Sequence, residues 1–223
     1  MTNRIGAFWK RDISYQSISY IRIEYVLVNY TQGEVMINIK YVEFNEGNID
    51  FLRNLVNGLM NFQAEHATIR KDVMASMNFD NRLRPEFAST PIKNMVVAYD
   101  GETPIGFAFA SVSMVNEDDI SAKPGWAESL GGIGFYPKEY KIPTKIGTFK
   151  LLFVNENYRG YNIGWELSKR TMSWLRSQDG VEDLWVFVAN GNEVVGSFYE
   201  KLGFKPSHEV FNGFITAYFQ KNI

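Results

Sequence analysis

From Met36 onward the chain predicts an α/β (α+β) domain, on three observations. Strand-like and helix-like apolar periodicities alternate along its length. Asp100-Gly101 stands between two runs of apolar and aromatic residues, the signal of a tight hairpin. A glycine-rich hexapeptide, Arg159-Gly160-Tyr161-Asn162-Ile163-Gly164, joins a hydrophobic strand to an amphipathic helix.

In chain order, Ile37, Ile39 and Tyr41 alternate with polar residues, as in a half-buried strand. Asn48 is placed to cap a helix with Asp50 in its first turn and Phe51, Leu52, Leu55, Val56, Leu59 and Phe62 on its buried stripe. A second helix is expected within residues 69–88, ending near Pro85. Met95 to Tyr99 and Ile105 to Val112 then form the hairpin strands. Residues 114–143 make a connection longer than the roughly 12 to 15 residues common in compact domains, which suits a site or a mobile segment. A strand from Thr148 to Val154 enters the hexapeptide. The next helix sets Ile163, Leu167, Met172, Trp174 and Leu175 mostly on one side. Leu184 to Val188 follow as a strand, Asn192 to Leu202 as a helix, and Asn212-Gly213 turns between two last strands.

The composition narrows the function. Of 223 residues 45% are hydrophobic and 15% aromatic, ample for a packed core. With 23 basic against 25 acidic residues, the net charge of −2 gives no broad reason to bind nucleic acid or an anionic membrane. There is no cysteine, hence no disulfide, thiol nucleophile or cysteine–zinc site. No stretch approaches the roughly 18 to 20 apolar residues of a membrane span. The basic residues Arg4, Lys10 and Arg11 have no apolar block behind them, so a secretory signal is not expected. These features predict a soluble, cytoplasmic protein.

Residues 1–35 fall outside the alternation, and the domain proper is assigned to 36–223. Tyr20 to Tyr30 reads as a strand, giving an extra edge strand or a dimerisation arm. The other reading is that translation begins at Met36, with Gln32-Gly33-Glu34-Val35 encoded by a ribosome-binding-like stretch. Both stay open.

A strand that turns through glycines into a helix leaves the first helical N–H groups without intrahelical partners. With the positive end of the helix dipole they suit a phosphate or pyrophosphate. A hexapeptide alone is weak evidence, since ordinary turns look alike. A second segment follows one strand later: Asn192, then Tyr199-Glu200-Lys201-Leu202-Gly203-Phe204. In order and spacing the two segments resemble the GCN5-related N-acetyltransferase (GNAT) family, most specifically across residues 148–204. The hairpin Val97 to Phe107 resembles that family's second and third strands. One position departs: Asn162 replaces a glycine, and Asn is the residue that best tolerates left-handed geometry.

The resemblance implies a mixed, mostly antiparallel twisted sheet with helices on both faces and a splay between the fourth and fifth core strands. It implies acetyl-CoA as co-substrate and transfer to a primary amine of a small molecule or peptide through a ternary complex. Leu152 and Val154 would pair with the pantetheine amides. Arg159, Gly160, Tyr161, Asn162, Ile163 and Gly164 would hold the diphosphate, Asn192 would help seat the cofactor or cap its helix, and Tyr199 would protonate the leaving thiolate. No metal is expected; a homodimer is possible. The base is open among Glu117, Asp118, Asp119, Glu156, His66 and His208, each more simply a surface or packing residue. Trp126, Phe135, Tyr136 and Tyr140 either wall an acceptor pocket or cover a sheet edge. The alternative function is a non-catalytic acyl-CoA-binding module. A P-loop or dinucleotide fold fits poorly, because no Gly-Lys-Ser/Thr ends the turn.

Overall fold

The computed structural model describes residues 3–11, 20–29 and 36–222, with side chains from residue 39 onward. Among the described residues nine strands form one sheet in the order β1-β2-β3-β4-β5-β6-β7-β9-β8. They are β1 (Asn3–Arg11), β2 (Tyr20–Asn29), β3 (Met36–Phe44), β4 (Ile92–Asp100), β5 (Thr103–Val115), β6 (Thr144–Val154), β7 (Asp183–Ala189), β8 (Lys205–Val210) and β9 (Ile215–Lys221). Among the described strands only β6 and β7 pair in parallel. The predicted mixed, mostly antiparallel sheet is therefore present, with β3–β9 as a seven-stranded core and β1 and β2 continuing it at the β3 edge. Tyr30 and the Gln32–Val35 stretch lie outside the described residues.

Helices cover both faces. On one, α5 (Ile163–Arg176) and α6 (Gly196–Lys201) bury Ile163, Leu167, Leu175 and Tyr199 against Phe149, Leu184 and Val186. On the other, α1 (Arg53–His66) sets Leu55, Val56, Leu59 and Met60 against Met95, Val97, Phe107 and Leu151. Each such buried side chain contributes about 1.5–3 kcal/mol, so this stripe holds the helix down. Because strand side chains alternate, Trp185 lies on the face opposite Val186. There it packs with Phe211, Phe214 and Ala217 beneath Trp126, Phe135, Tyr136 and Tyr140 from the 116–143 connection.

One irregularity in β6 matters for the site. Phe109 pairs with Leu151, but Ala110 pairs with Phe149, which leaves Lys150 as an extra residue. Such a bulge bends the strand and shifts its side-chain parity. Phe149, Leu152 and Val154 consequently pack on the α5 face, while Leu151 and Phe153 pack on the α1 face.

Several expected elements differ in detail. Asn48 does accept a hydrogen bond from the Asp50 N–H at 2.7 Å, but it opens a 3-10 turn, Asp50–Leu52, ahead of α1. Phe51 is 43% exposed rather than buried, lying against the Tyr99 ring at the sheet margin. The single helix expected within 69–88 is broken into α2 (Lys71–Ser76), a π turn (Phe79–Leu83) and α3 (Arg84–Ser89). Pro85 stands in the first turn of α3, where its missing N–H costs nothing, so it starts a helix instead of ending one. The 114–143 connection begins inside β5 and contains a short helix, α4 (Glu117–Ser121). Asn192 to Leu202 is a 3-10 turn followed by α6. Among the described residues no helix is long and apolar enough to cross a membrane.

Candidate active site

The β6–β7 ladder runs only from Ile146↔Asp183 to Phe149↔Val186. Beyond the Lys150 bulge the two strands part, and a cavity of about 390 Å³ opens between them. Leu152, Val154, Arg159, Gly164, Asn192 and Tyr199 all line it. Leu59, Phe62, Val188 and Phe198 add apolar walls. The exposed backbone edge can be read from register. Asn155 N–H donates to Ile105 O on β5 at 2.8 Å. Successive residues direct their backbone groups to opposite edges, so those of Leu152 and Val154 point away from β5, toward the gap. In agreement, the Val154 carbonyl accepts from Arg159 Nε at 3.3 Å, and the Arg159 guanidinium lies over the rings of Phe62 and Phe153.

Past Val154 the chain turns into α5. Gly160 has φ +85°, and a side chain there would meet nothing within 4 Å, so this backbone is open to a close ligand. Asn162 occupies the N-cap position at φ 61° and ψ 10°, the left-handed geometry for which Asn substitutes for glycine. Its side chain makes no capping bond, so Asn162 itself does not compete for the first N–H groups of this 14-residue helix. Ile163 points into the core, leaving its main chain for the turn. Gly160, Tyr161, Asn162 and Ile163 thus form the rim beside the cavity and not its lining.

Tyr199 is 8% exposed and sits among Phe149, Phe198, Phe204 and Tyr218. Burial raises its phenol pKa above the ordinary tyrosine range. Asn192 holds the N-cap position of the Glu193–Val195 turn but makes no side-chain capping bond, so the capping role expected for it is absent.

A second cavity, of about 580 Å³, adjoins the first. Gln63, Lys150, Leu151, Phe187 and Ala189 line both. One wall comes from the α2–α3 region, including Arg82 and Glu86; another comes from the connection, with Trp126, Phe135 and Tyr136. Three of the four aromatics singled out from the sequence therefore do wall a pocket; Tyr140 instead donates to Asp183 at 2.6 Å. Sequence reasoning missed Arg82, Glu86 and Lys150. Glu86 forms ion pairs with Arg82 and, at 3.0 Å, with Lys150. Burial raises its pKa, but the two cations outweigh this and hold the carboxyl below its usual range. The available signal was Lys150, a lone charge in the apolar run Thr148 to Val154.

None of the six base candidates lines either cavity. Glu117 and Asp118 are exposed, and Asp119 accepts from the Asn116 N–H at 2.8 Å within α4's capping box. Glu156 faces solvent. The His66 ring donates back to the Phe62 carbonyl at 2.8 Å, and His208 donates to the Gly134 carbonyl at 3.1 Å. Among the described residues, no group of three or more His, Asp or Glu side chains is placed to hold a metal ion.

Solved structures share this architecture. PH1933 from Pyrococcus horikoshii OT3 aligns with a TM-score of 0.53 and 18% identity, covering 82% of this chain and 98% of that one. The PaiA N-acetyltransferase from Thermoplasma acidophilum, solved in complex with coenzyme A, aligns with a TM-score of 0.52 and 16% identity, covering 77% and 91%. At such identities the likeness concerns the fold alone. No curated protein matches the chain. The model of the acetyltransferase (GNAT) family matches residues 62–204, more than half of the sequence, and so spans the splayed strands, the glycine turn and Tyr199. The chain belongs to the GNAT acetyltransferase family.

Proposed function

We propose that this protein is an acetyl-CoA-dependent N-acetyltransferase that transfers acetyl directly to a primary amine of a small molecule or peptide. The observation that carries this reading is the end of β6–β7 pairing at Phe149 and Val186, above a cavity that reaches the glycine turn. Coenzyme A, when bound, supplies the acyl group as an activated thioester. The residues fit it: a backbone edge with no neighbouring strand beyond Phe149 and Val186, apolar walls, and a helix N-terminus whose N-cap side chain makes no capping bond, beyond a glycine with space at its Cβ position.

Leu152 and Val154 would offer their gap-facing backbone groups to the pantetheine amides, once Arg159 releases the Val154 carbonyl. Arg159 and the backbone from Gly160 to Gly164 would hold the diphosphate. Asn192 lines the same cavity and would orient the arm or a water. Tyr199 keeps its proton at neutral pH and donates it to the sulfur as the carbon–sulfur bond breaks. Glu86, among the described residues the one carboxylate lining either cavity, is committed to two cations and is a weak base. The acceptor therefore reacts as the free amine, its proton passing to water.

That missing base also favours a second reading, a non-catalytic acyl-CoA-binding module. Two measurements decide: calorimetric titration with coenzyme A, and thiol release from acetyl-CoA across a panel of amines. Binding with amine-dependent thiol release supports the enzyme. Binding without any release supports the module, and absence of binding removes both.

A further inference from the structure

The larger cavity has a charge balance that selects among amines. Among the described residues its lining holds four titratable side chains: Arg82, Glu86, Lys150 and Tyr136. Tyr136 stays neutral, its pKa raised by burial and by Asp119. Two cations therefore face one carboxylate, and the cavity carries a net charge of about +1 at neutral pH. Glu86 does not exhaust its partners. An ammonium has three donors and a guanidinium five, so Lys150 and Arg82 keep donors to spare. A polycationic acceptor would meet repulsion here with no free carboxylate to receive it.

Resting on the acetyltransferase reading, we infer that the acceptor is a small amine bearing a carboxylate and an apolar or aromatic body, of the amino-acid class, whose carboxylate is bound by Lys150 and Arg82. A single negative charge balances the cavity, whereas a phosphate monoester, at −1.5 to −2, would overshoot it. Trp126, Phe135, Phe187 and Phe214 supply the apolar walls. A volume of about 580 Å³ is that of a small-molecule site. The geometry also orients the acceptor. Lys150 is the bulge residue and lines both cavities, so a carboxylate anchored there sets the adjacent amine where the strands part.

The test reads binding separately from turnover. N-acetyl-L-phenylalanine and N-acetylphenethylamine, which differ by the carboxylate, are titrated calorimetrically into the protein with coenzyme A present. The carboxylate compound is expected to bind about 10- to 100-fold more tightly, the scale of a hydrogen bond to a charged group. That preference should collapse in Lys150→Met and in Arg82→Met. It should grow in Glu86→Gln, which raises the cavity charge by one. A merely structural ion-pair network predicts the opposite for Glu86→Gln, since losing its centre would loosen the site. Equal binding of both compounds, tighter binding of the uncharged one, or no binding of either at millimolar concentration overturns the inference. Failure of coenzyme A to bind strikes instead at the acetyltransferase reading, because the comparison of the two compounds stands without catalysis.

Discussion

The side chain of Asn190 bonds both backbone groups of Ile69: Oδ1 accepts the N–H at 2.8 Å and Nδ2 donates to the carbonyl at 3.2 Å. The same side chain accepts from the Thr68 N–H at 2.7 Å and donates to the Phe214 carbonyl at 3.0 Å. One amide thus ties the α1–α2 link to the end of β7, which lines both cavities, and to the turn that leads into β9. Asn190 is 3% exposed; among its partners Thr68 is exposed and can turn to solvent, whereas Ile69 is half-buried. Asn190→Ala should lower stability by about 1–3 kcal/mol, chiefly from the orphaned N–H of half-buried Ile69. Urea denaturation measures it; a loss below 0.5 kcal/mol would show that the link is held elsewhere.

Gly191, the next residue, has φ +77°, and a Cβ there would overlap the backbone carbonyl of His66 at the end of α1. Left-handed geometry alone costs a side chain about 1–2 kcal/mol, and the overlap forces α1 to move besides. Since α1 walls the first cavity through Leu59, Phe62 and Gln63, Gly191→Ala should weaken coenzyme A binding as well as lower Tm. A variant with reduced Tm but unchanged coenzyme affinity would separate the α1 position from the site.

The sequence made some of this legible and hid the rest for physical reasons. Asp100-Gly101, the glycine turn and the Ile163–Leu175 stripe are local signals, and each element stands where those residues imply. The splay was reached through resemblance, because nothing in Phe149-Lys150-Leu151-Leu152-Phe153 declares a bulge. Apolar residues occupy both parities there, so period-two analysis cannot see the extra residue. The Lys150–Glu86 pair joins positions 64 residues apart in sequence, and only the fold brings them together. Pro85 misled because a proline opens a helix as readily as it ends one. The α1–α2 link was opaque too, since Asn190 looks like any turn asparagine until Ile69 is beside it.

Tyr199→Phe keeps the ring packing against Phe149 and Phe204 and removes only the hydroxyl. If the phenol supplies the departing thiolate's proton, turnover should fall by about 10²- to 10⁴-fold, with coenzyme affinity changed less than about threefold. The pH profile adds an independent readout. An acid must be protonated to act, and burial raises the Tyr199 pKa, so activity should show no descending limb up to about pH 10. The ascending limb should instead follow the pKa of whichever amine is supplied. Wild-type activity that falls between pH 8 and 9 would point to a different acid.

Asn162 tests whether backbone geometry governs the turn. Asn162→Gly retains the left-handed conformation at no steric cost, so coenzyme A binding should be equal or tighter. Asn162→Val places a β-branched residue where φ is 61°, and both Tm and coenzyme affinity should drop. Equal affinities in the two variants would mean that the N-terminal turn of α5 does not hold the diphosphate.

Glu86 gives an acid-side prediction whose sign follows from its surroundings. Burial alone would raise its pKa, but Lys150 and Arg82 more than offset that and leave it lowered. A depressed folded-state value means that the unfolded chain binds the proton more readily. The contribution to stability is therefore fully present above the unfolded value of about 4.3 and is lost as pH falls through the lower folded value. In thermal melts from pH 7 to pH 3, the Tm advantage of wild type over Glu86→Gln should be level above about pH 5 and shrink below it. An advantage that instead grows on acidification would mean that Glu86 is protonated more easily in the folded protein, and its ion pairs with Lys150 and Arg82 would then not govern the wall of the larger cavity.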